Sequence, residues 1–204
     1  SRNVMRNVIR KASKASKRLV FPEGEEVSIL RSAQILLDEE IATPILVGRP
    51  DIIRDRADAQ GLDIAGAEIV DPEQPKQHYA DRLYEIRSRK GMLPHEAKAQ
   101  VRNSLTHALM MVHLDEADGL VCGMNRTYAE TLAPSLRILR VKEGVSKVSG
   151  MYVIVFRDRT LFFADATVNI DPTAEDLAET ALLAGKTVRR YFDIEPRIAM
   201  LSFS

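Results

Sequence analysis

The stretch "RLVFPEGEEVSIL" (residues 18–30) decides how the chain is read. An apolar run stops at Pro22, and Glu23, Gly24, Glu25 and Glu26 then place three acids around a turn before apolar spacing resumes. A short apolar run bounded by Pro and Gly predicts a buried strand, and the apolar spacing from Val27 onward predicts a helix. Two jobs suit the acids. Carboxylates complement the positive end of a helix dipole, and a strand-to-helix turn in an α/β sheet is where a binding cleft begins.

Working outward, the same alternation recurs. "TPILVG" (43–48) predicts a second strand, and "PDIIRDRADAQG" (50–61) a helix with Pro50 at its start and Gly61 past its end. "AEIVDP" (67–72) predicts a third strand. Between the first two strands, Val27, Leu30, Gln34, Leu37 and Ile41 fall three or four apart, apolar except for Gln34, as one helical face. Upstream, Val4, Val8 and Ile9 among basic residues predict a short amphipathic helix over 2–15. Strand alternating with helix is the pattern of a mostly parallel α/β sheet.

Residues 77–113 read as helical with a break at "KGMLPHE", where Gly91 ends one helix and Pro94 opens the next. "ADGLVCG" (117–123) predicts a fourth strand, and "TYAETLAPSLRIL" (127–139) a helix disturbed by Pro134. After Gly144 the character changes, and a separate lobe is expected from about Val145. "KVSGMYVIVF" (147–156) and "TLFFADATV" (160–168) predict two long strands of a hairpin. "DPTAEDLAETALLAGKTVRRYF" (171–192) predicts a helix with Pro172 at its first position and Thr173 with Asp176 as a capping box. Leu177, Ala181, Ala184 and Val188 form its apolar side, and "RIAMLSFS" (197–204) predicts a last strand. A buried strand normally runs on into a covering helix, so the reading expects a piece of a longer chain.

Composition narrows the function classes. Lys plus Arg and Asp plus Glu are 29 each among 204 residues, so no global field draws nucleic acid or an anionic membrane. With 45 % hydrophobic residues the chain can build a core. One cysteine, Cys122, excludes an internal disulfide framework, and no segment reads as a membrane span or secretory signal. A cytoplasmic globular protein is expected.

No metal motif surrounds His78, His95, His107 or His113, and there is no dinucleotide, P-loop or nucleophile-elbow motif. Cys122 lacks an obvious basic partner and reads as a small apolar group. "CGMNRTYAETLAPSL" (122–136) joins a strand end to a helix start, with Asn125, Arg126, Thr127 and Tyr128 beside a glycine. Such a corner either holds an anion through N–H groups, hydroxyls and a guanidinium, or is a capped helix with a solvated arginine. "FADATVNIDPTAEDLAE" (163–179) places Asp165, Thr167 and Asn169 between strand and helix, with Asp171 and Thr173 as caps. Arg137, Arg140, Lys142 and Lys147 cluster along the sequence, as a solvated face or a polyphosphate contact.

"KRLVFPEGEE", "ATPILVG", "ADGLVCG", "ETLAPSLRIL", "VSGMYVIVFRDRTLFFADATVNIDPTAEDLAETA" and "EPRIAMLSFS", in this order, resemble the phosphate acetyltransferase (phosphotransacetylase) family from about Lys17 to Ser204. The resemblance implies two α/β domains similar to isocitrate and isopropylmalate dehydrogenases, and exchange of an acetyl group between phosphate and coenzyme A without a metal. Residues 17–144 would be most of the first domain and 145–204 the truncated start of the second. The opening "SRNVMRNVIRKASKASKRLVFPEGEE" is similar to the junction in bacterial hybrid malic enzymes, making 1–16 a linker helix from a preceding domain.

That second resemblance implies a regulatory, oligomerising domain that senses acetyl-CoA, with NADP and a divalent metal confined to a malic enzyme portion. It implies self-association, no nucleic acid and no membrane. The alternative is a fragment of an active transacetylase. Ala133 stands where the family pattern has an arginine thought to hold phosphate, and the family's later "DLSRG"-type segment would lie past Ser204. No catalytic residue is assigned. Asn125, Arg126, Thr127, Tyr128, Asp165, Thr167 and Asn169 are the expected ligand contacts.

Overall fold

A computed structural model describes residues 2–201, with side chains from Val4. The chain divides into two compact units, one of residues 12–140 and one of residues 1–11 with 141–204. The helix α1 (Arg2–Ala15) runs across that division at its C-terminal end.

In the first unit, β1 (Lys17–Phe21), β2 (Ala42–Val47), β3 (Glu68–Val70) and β4 (Gly119–Leu120) form one parallel sheet in the order β3-β2-β1-β4. In register, Val20 faces Ile45 and Phe21 faces Leu46. Side chains alternate between sheet faces, and both faces are buried. Val20, Ile45 and Val47 join Tyr79, Leu83, Leu105 and Leu109 in one core. Phe21 and Leu46 join Ile29, Leu30, Ala33, Ile53 and Ala57 in the other. Covering both faces is what makes these strands read as unbroken apolar runs.

The second core is supplied by α2 (Val27–Asp38) and α3 (Pro50–Ala59), the first by α4 (Gln77–Arg87), α5 (Pro94–Gln100), α6 (Ser104–His113) and α7 (Tyr128–Ile138). The face of α2 differs from the expected one. Ile29, Leu30 and Ala33 are its buried residues, while Val27, Gln34 and Leu37 are only half-buried. The region expected to break once breaks twice. Gly91, in a left-handed conformation (φ 89°), follows a 3-10 turn at Ser88–Lys90, and Asn103 caps a second restart through Leu105 and Thr106 N–H. Pro134 lies inside α7.

β4 is far shorter than "ADGLVCG" predicts. Val121 N–H reaches Val20 O (3.0 Å), but the N–H groups of Gly123, Met124 and Asn125 turn to the carboxylate of Glu23. A ladder stops where its donors go elsewhere, and Pro22 marks the end of the neighbouring strand.

In the second unit, β5 (Met151–Val155) pairs antiparallel with β6 (Thr160–Ala164), and Phe162 meets Phe192 of α8 (Ala174–Phe192) edge-on at 4.9 Å. Both strands are shorter than expected because Gly150 N–H bonds Asp165 instead of a ladder partner. Thr173 is the N-cap of α8 and Asp176 closes the box, so Pro172 precedes the helix instead of opening it. Gly185 and Val188 are the buried positions of α8, and Leu177 is exposed.

Residues 197–201 form no strand, since no ladder partner runs beside them, and 202–204 lie outside the described residues. No helix among the described residues is long and apolar enough to cross a membrane.

Candidate functional site

The strand order places β2 and β3 on one side of β1 and β4 on the other, so the chain reverses direction across the sheet between β1 and β4. Ligands of open α/β sheets gather at such a switch point, beyond the carboxyl ends of the strands. A cleft of about 600 Å³ opens there, within the size range of ligand pockets. Its walls come from the turns after β1 and β2, the start of α6 and the loop before α7.

The acids of the opening stretch build this end of the sheet. Glu23 is buried, and its carboxylate accepts N–H groups from Gly123 (3.0 Å), Met124 (3.0 Å) and Asn125 (2.8 Å), which ties the ends of β1 and β4 together. Glu25 reaches the end of β2, where Arg49 grips it through Nε (2.9 Å), Nη2 (2.8 Å) and its own N–H (3.0 Å). That grip holds the Glu25 carboxyl near 2, against a smaller opposing effect of burial. Glu26 accepts from the Asn125 amide (2.8 Å) and, although it is the N-cap of α2, makes no side-chain cap.

Their dominant role is therefore to tie loops together, which the reading of helix-start acids did not foresee. Gly24 between them donates to Val47 O (3.1 Å), and a Cβ there would stand 2.9 Å from Val47 N and O. Only glycine lets the turn approach β2 so closely.

The structure brings Asn125, Arg126, Thr127 and Tyr128 to one corner. The backbone donors that suggested an anion site at 123–125 are taken by Glu23. Thr127 caps α7 with Glu130 in a reciprocal box. Tyr128 is half-exposed. Arg126 donates from Nη2 to Ser104 Oγ (3.1 Å), while its Nε is buried and meets no hydrogen-bond partner among the described residues.

Asp165, Thr167 and Asn169 lie in the other unit, in a self-contained knot. Asp165 accepts N–H groups from Gly150 (3.1 Å), Thr167 (3.2 Å), Val168 (3.1 Å) and Asn169 (3.0 Å), and the Asn169 amide (2.6 Å). Burial pushes this carboxyl up, yet those bonds together hold it below its ordinary value. A Cβ on Gly150 would stand 2.8 Å from Thr167 Oγ1. The arrangement braces the passage from β6 to α8 and leaves Asp165 little capacity for a ligand.

The remaining candidates separate. Burial, and the nearby charge of Glu23, push the Cys122 thiol up, the opposite of an activated thiolate. His107 is buried, its Nδ1 3.1 Å from Val101 O and its ring edge-on to Tyr79. His78 pairs with Glu116, and Arg82 Nε donates to His113 Nε2. His95 is exposed on α5. Among the described residues no three His, Cys, Asp or Glu are grouped to hold a metal ion.

Arg137 lines a second, 270 Å³ hollow with Arg87 and Lys90, which the sequence reading did not single out. Lys147 pairs with Asp176 (2.5 Å) in the other unit. The residues missed altogether, Arg49, Arg102 and Ser104, gave no signal because they lie just after β2, in the link between α5 and α6, and at the start of α6, in segments far from the quoted corner.

A family model described as phosphate acetyl/butaryl transferase matches residues 3–204. A phosphate acetyltransferase of Nitratidesulfovibrio vulgaris is 41 % identical over 97 % of this chain and 28 % of its own length. One of Thermoanaerobacterium thermosaccharolyticum is 38 % identical over 99 % of this chain and 63 % of its own. A solved phosphotransacetylase from Streptococcus pyogenes superposes over the whole chain and 62 % of its own length, with a TM-score of 0.91 and 31 % identity. The chain thus spans between about a quarter and two thirds of these relatives. They overturn the expectation of an acetyl-CoA-sensing regulatory domain of an NADP-dependent malic enzyme. Relatives over nearly the whole chain are phosphate acetyltransferases and the structural neighbours are phosphotransacetylases, which favours the transacetylase alternative.

Proposed function

Because the chain belongs to the phosphate acetyl/butaryl transferase family, we propose that it forms part of an enzyme exchanging a short acyl group between phosphate and coenzyme A. The reaction balances without net oxidation. The thiolate sulfur of coenzyme A bonds to the acyl carbonyl carbon, the carbon–oxygen bond to phosphate breaks, and phosphate leaves with that electron pair. The match to the family over 3–204 carries this reading.

What the first unit offers such a reaction is placement. The cleft lies at the switch point, with Asn125 and Arg126 on the loop after β4 and Ser104 at the head of α6. Guanidinium and hydroxyl donors at a fixed cleft suit a phosphoryl group. Ala133 is exposed on α7 and brings no charge, so any guanidinium contact in this cleft falls to other residues.

The finer expectation, an architecture like that of isocitrate dehydrogenases, is part of the proposal. The parallel α/β unit and a second unit from Val141 support it. Self-association is proposed too, supported by exposed apolar residues such as Leu182 and Tyr191 on α8.

Thioester formation from acetyl phosphate and coenzyme A, measured in the full-length protein, tests the activity. Thioester that depends on both substrates, with matching phosphate release, is expected. Neither acetyl nor butyryl phosphate reacting would overturn it.

A further inference from the structure

The last turn of α6 carries His113, half-buried and 31 residues beyond Arg82 of α4 in sequence. Arg82 Nε donates to His113 Nε2 at 3.2 Å, and its Nη1 pairs with Glu85 one turn on (2.8 Å). A guanidinium only donates, so Nε2 is the lone-pair nitrogen of a neutral ring whose proton sits on Nδ1. The bond therefore exists in one protonation state alone.

Each element packed against α6 bears on that state. α4 contributes the guanidinium of Arg82, and Arg140, just past α7, adds a second positive charge felt by the ring. After α6, Asp115 acts on His113 in the opposite sense from an exposed position, whereas Glu116 is taken by Lys76, His78 and Tyr79. β1 brings Arg18, whose guanidinium is occupied by Glu68 and the Glu116 carbonyl, while β2 and β4 carry no titratable side chain. A cation in the last turn of a helix normally gains from the free carbonyls there. Here the carbonyls of Met110, Met111 and Val112 already accept main-chain N–H groups from Leu114, Asp115, Glu116 and Ala117. Burial, followed by the charges of Arg82 and Arg140, accordingly keeps His113 below its ordinary 6.5.

We propose that Arg82 and His113 form an acid-released tie between α4 and the end of α6, a pH-sensitive device built into the first unit. A protonated ring has no lone pair at Nε2 and sets a positive charge beside two guanidinium groups, so Arg82 lets go and keeps Glu85 alone. The tie is closed above the ordinary 6.5 and opens as pH falls through the lower value of the folded state. Arg140, left-handed at φ 61°, is the last residue of the first unit, so the repulsion acts where the chain leaves that unit. The device asks no catalytic role of either residue and stands apart from the acyl-exchange reading.

The test follows the full-length protein, with nitrogen-15 in its histidines, from about pH 8 to about pH 5. Long-range proton–nitrogen correlations should show His113, identified by its loss in His113→Gln, protonated on Nδ1 at the upper end and titrating below its value in urea. Hydrogen exchange, corrected for the intrinsic effect of pH, should quicken about two- to tenfold in α4 around Arg82 and in the last turn of α6, as for one lost hydrogen bond. His113→Gln keeps an acceptor that does not titrate, so this local response should vanish while any response of His107 on the same helix remains. Arg82→Met should show the faster exchange at neutral pH already and let His113 titrate higher.

A neutral His113 protonated on Nε2, or exchange that answers to acid in His113→Gln as in the parent, would overturn the proposal. If His113→Gln unfolds, Arg82→Met decides, and a spectrum in which no histidine titration rises overturns it equally.

Discussion

Oε1 of Glu23 accepts the main-chain N–H of Asn125 at 2.8 Å across 102 residues of chain, and its other oxygen takes the two preceding N–H groups. One carboxylate thereby closes β4, fixes the loop that carries Arg126, and ties it to the end of β1. Glu23→Gln keeps the shape but turns an amide nitrogen towards at least one of the three N–H groups. A loss of about 2–3 kcal/mol is expected, as for a hydrogen-bonded buried charge. Denaturant unfolding measures it, and hydrogen exchange should show the Gly123–Asn125 amides losing protection ahead of the sheet. Unchanged exchange would show that the loop is held by something else.

Gly24→Ala places a methyl group 2.9 Å from the backbone of Val47. Backbone inside a parallel sheet gives way reluctantly, so about 1–3 kcal/mol of destabilisation is expected. Gly66→Ala is a fitting control, because its nearest neighbour is the Leu37 side chain, which can rotate. Thermal unfolding of both variants should separate them clearly, with Gly24→Ala the lower.

Acid should weaken the fold in two windows. His107 titrates below its ordinary 6.5, chiefly because burial disfavours the charged ring. The unfolded chain then binds the proton more readily, so stability falls as pH drops through about 6.5. Glu25 has a folded value near 2 against an ordinary 4.5, and its contribution is present above 4.5 and lost as pH falls from there towards 2. Arg49→Ala should make the lower window shallower without abolishing it, since Asp165 and Glu116 are also held below their ordinary values, and should leave the upper one, in urea titrations repeated across pH. Loss of both windows together would contradict this assignment.

Asp165→Asn removes charge from a carboxylate that accepts from four N–H groups and one amide. At least one N–H must then face an amide nitrogen. About 2 kcal/mol of destabilisation is expected, with lost amide protection at Val168 and Asn169. Because Asp165 is read as a brace of its own unit, protection of the Gly123–Asn125 amides, held by Glu23, should stay unchanged in this variant. Loss of protection there ahead of Val168 and Asn169 would reverse the reading.

The alternation of short apolar runs with helical spacing determined the parallel α/β unit, because strands buried on both faces must be apolar throughout and their crossover helices must be amphipathic. "KRLVF", "TPILVG" and the helix after Thr173 were legible for that reason, each a local property of its own residues. The sequence also brought Asn125 to Tyr128 forward as one corner. It could not show that the donors of that corner are spent on Glu23, or that Asp165 is closed within its own loop.

Nor could it show that β4 stops at Leu120 or that residues 197–201 stay unpaired. Arg49, Arg102 and Ser104 joined the cleft only through the order of the strands. A hydrogen bond between residues 100 positions apart, such as that from Gly123 to Glu23, leaves no periodicity to read. Whether an acid caps a helix, grips an arginine or fills a nest of N–H groups depends on which loops the sheet brings together, and that is decided by tertiary structure alone.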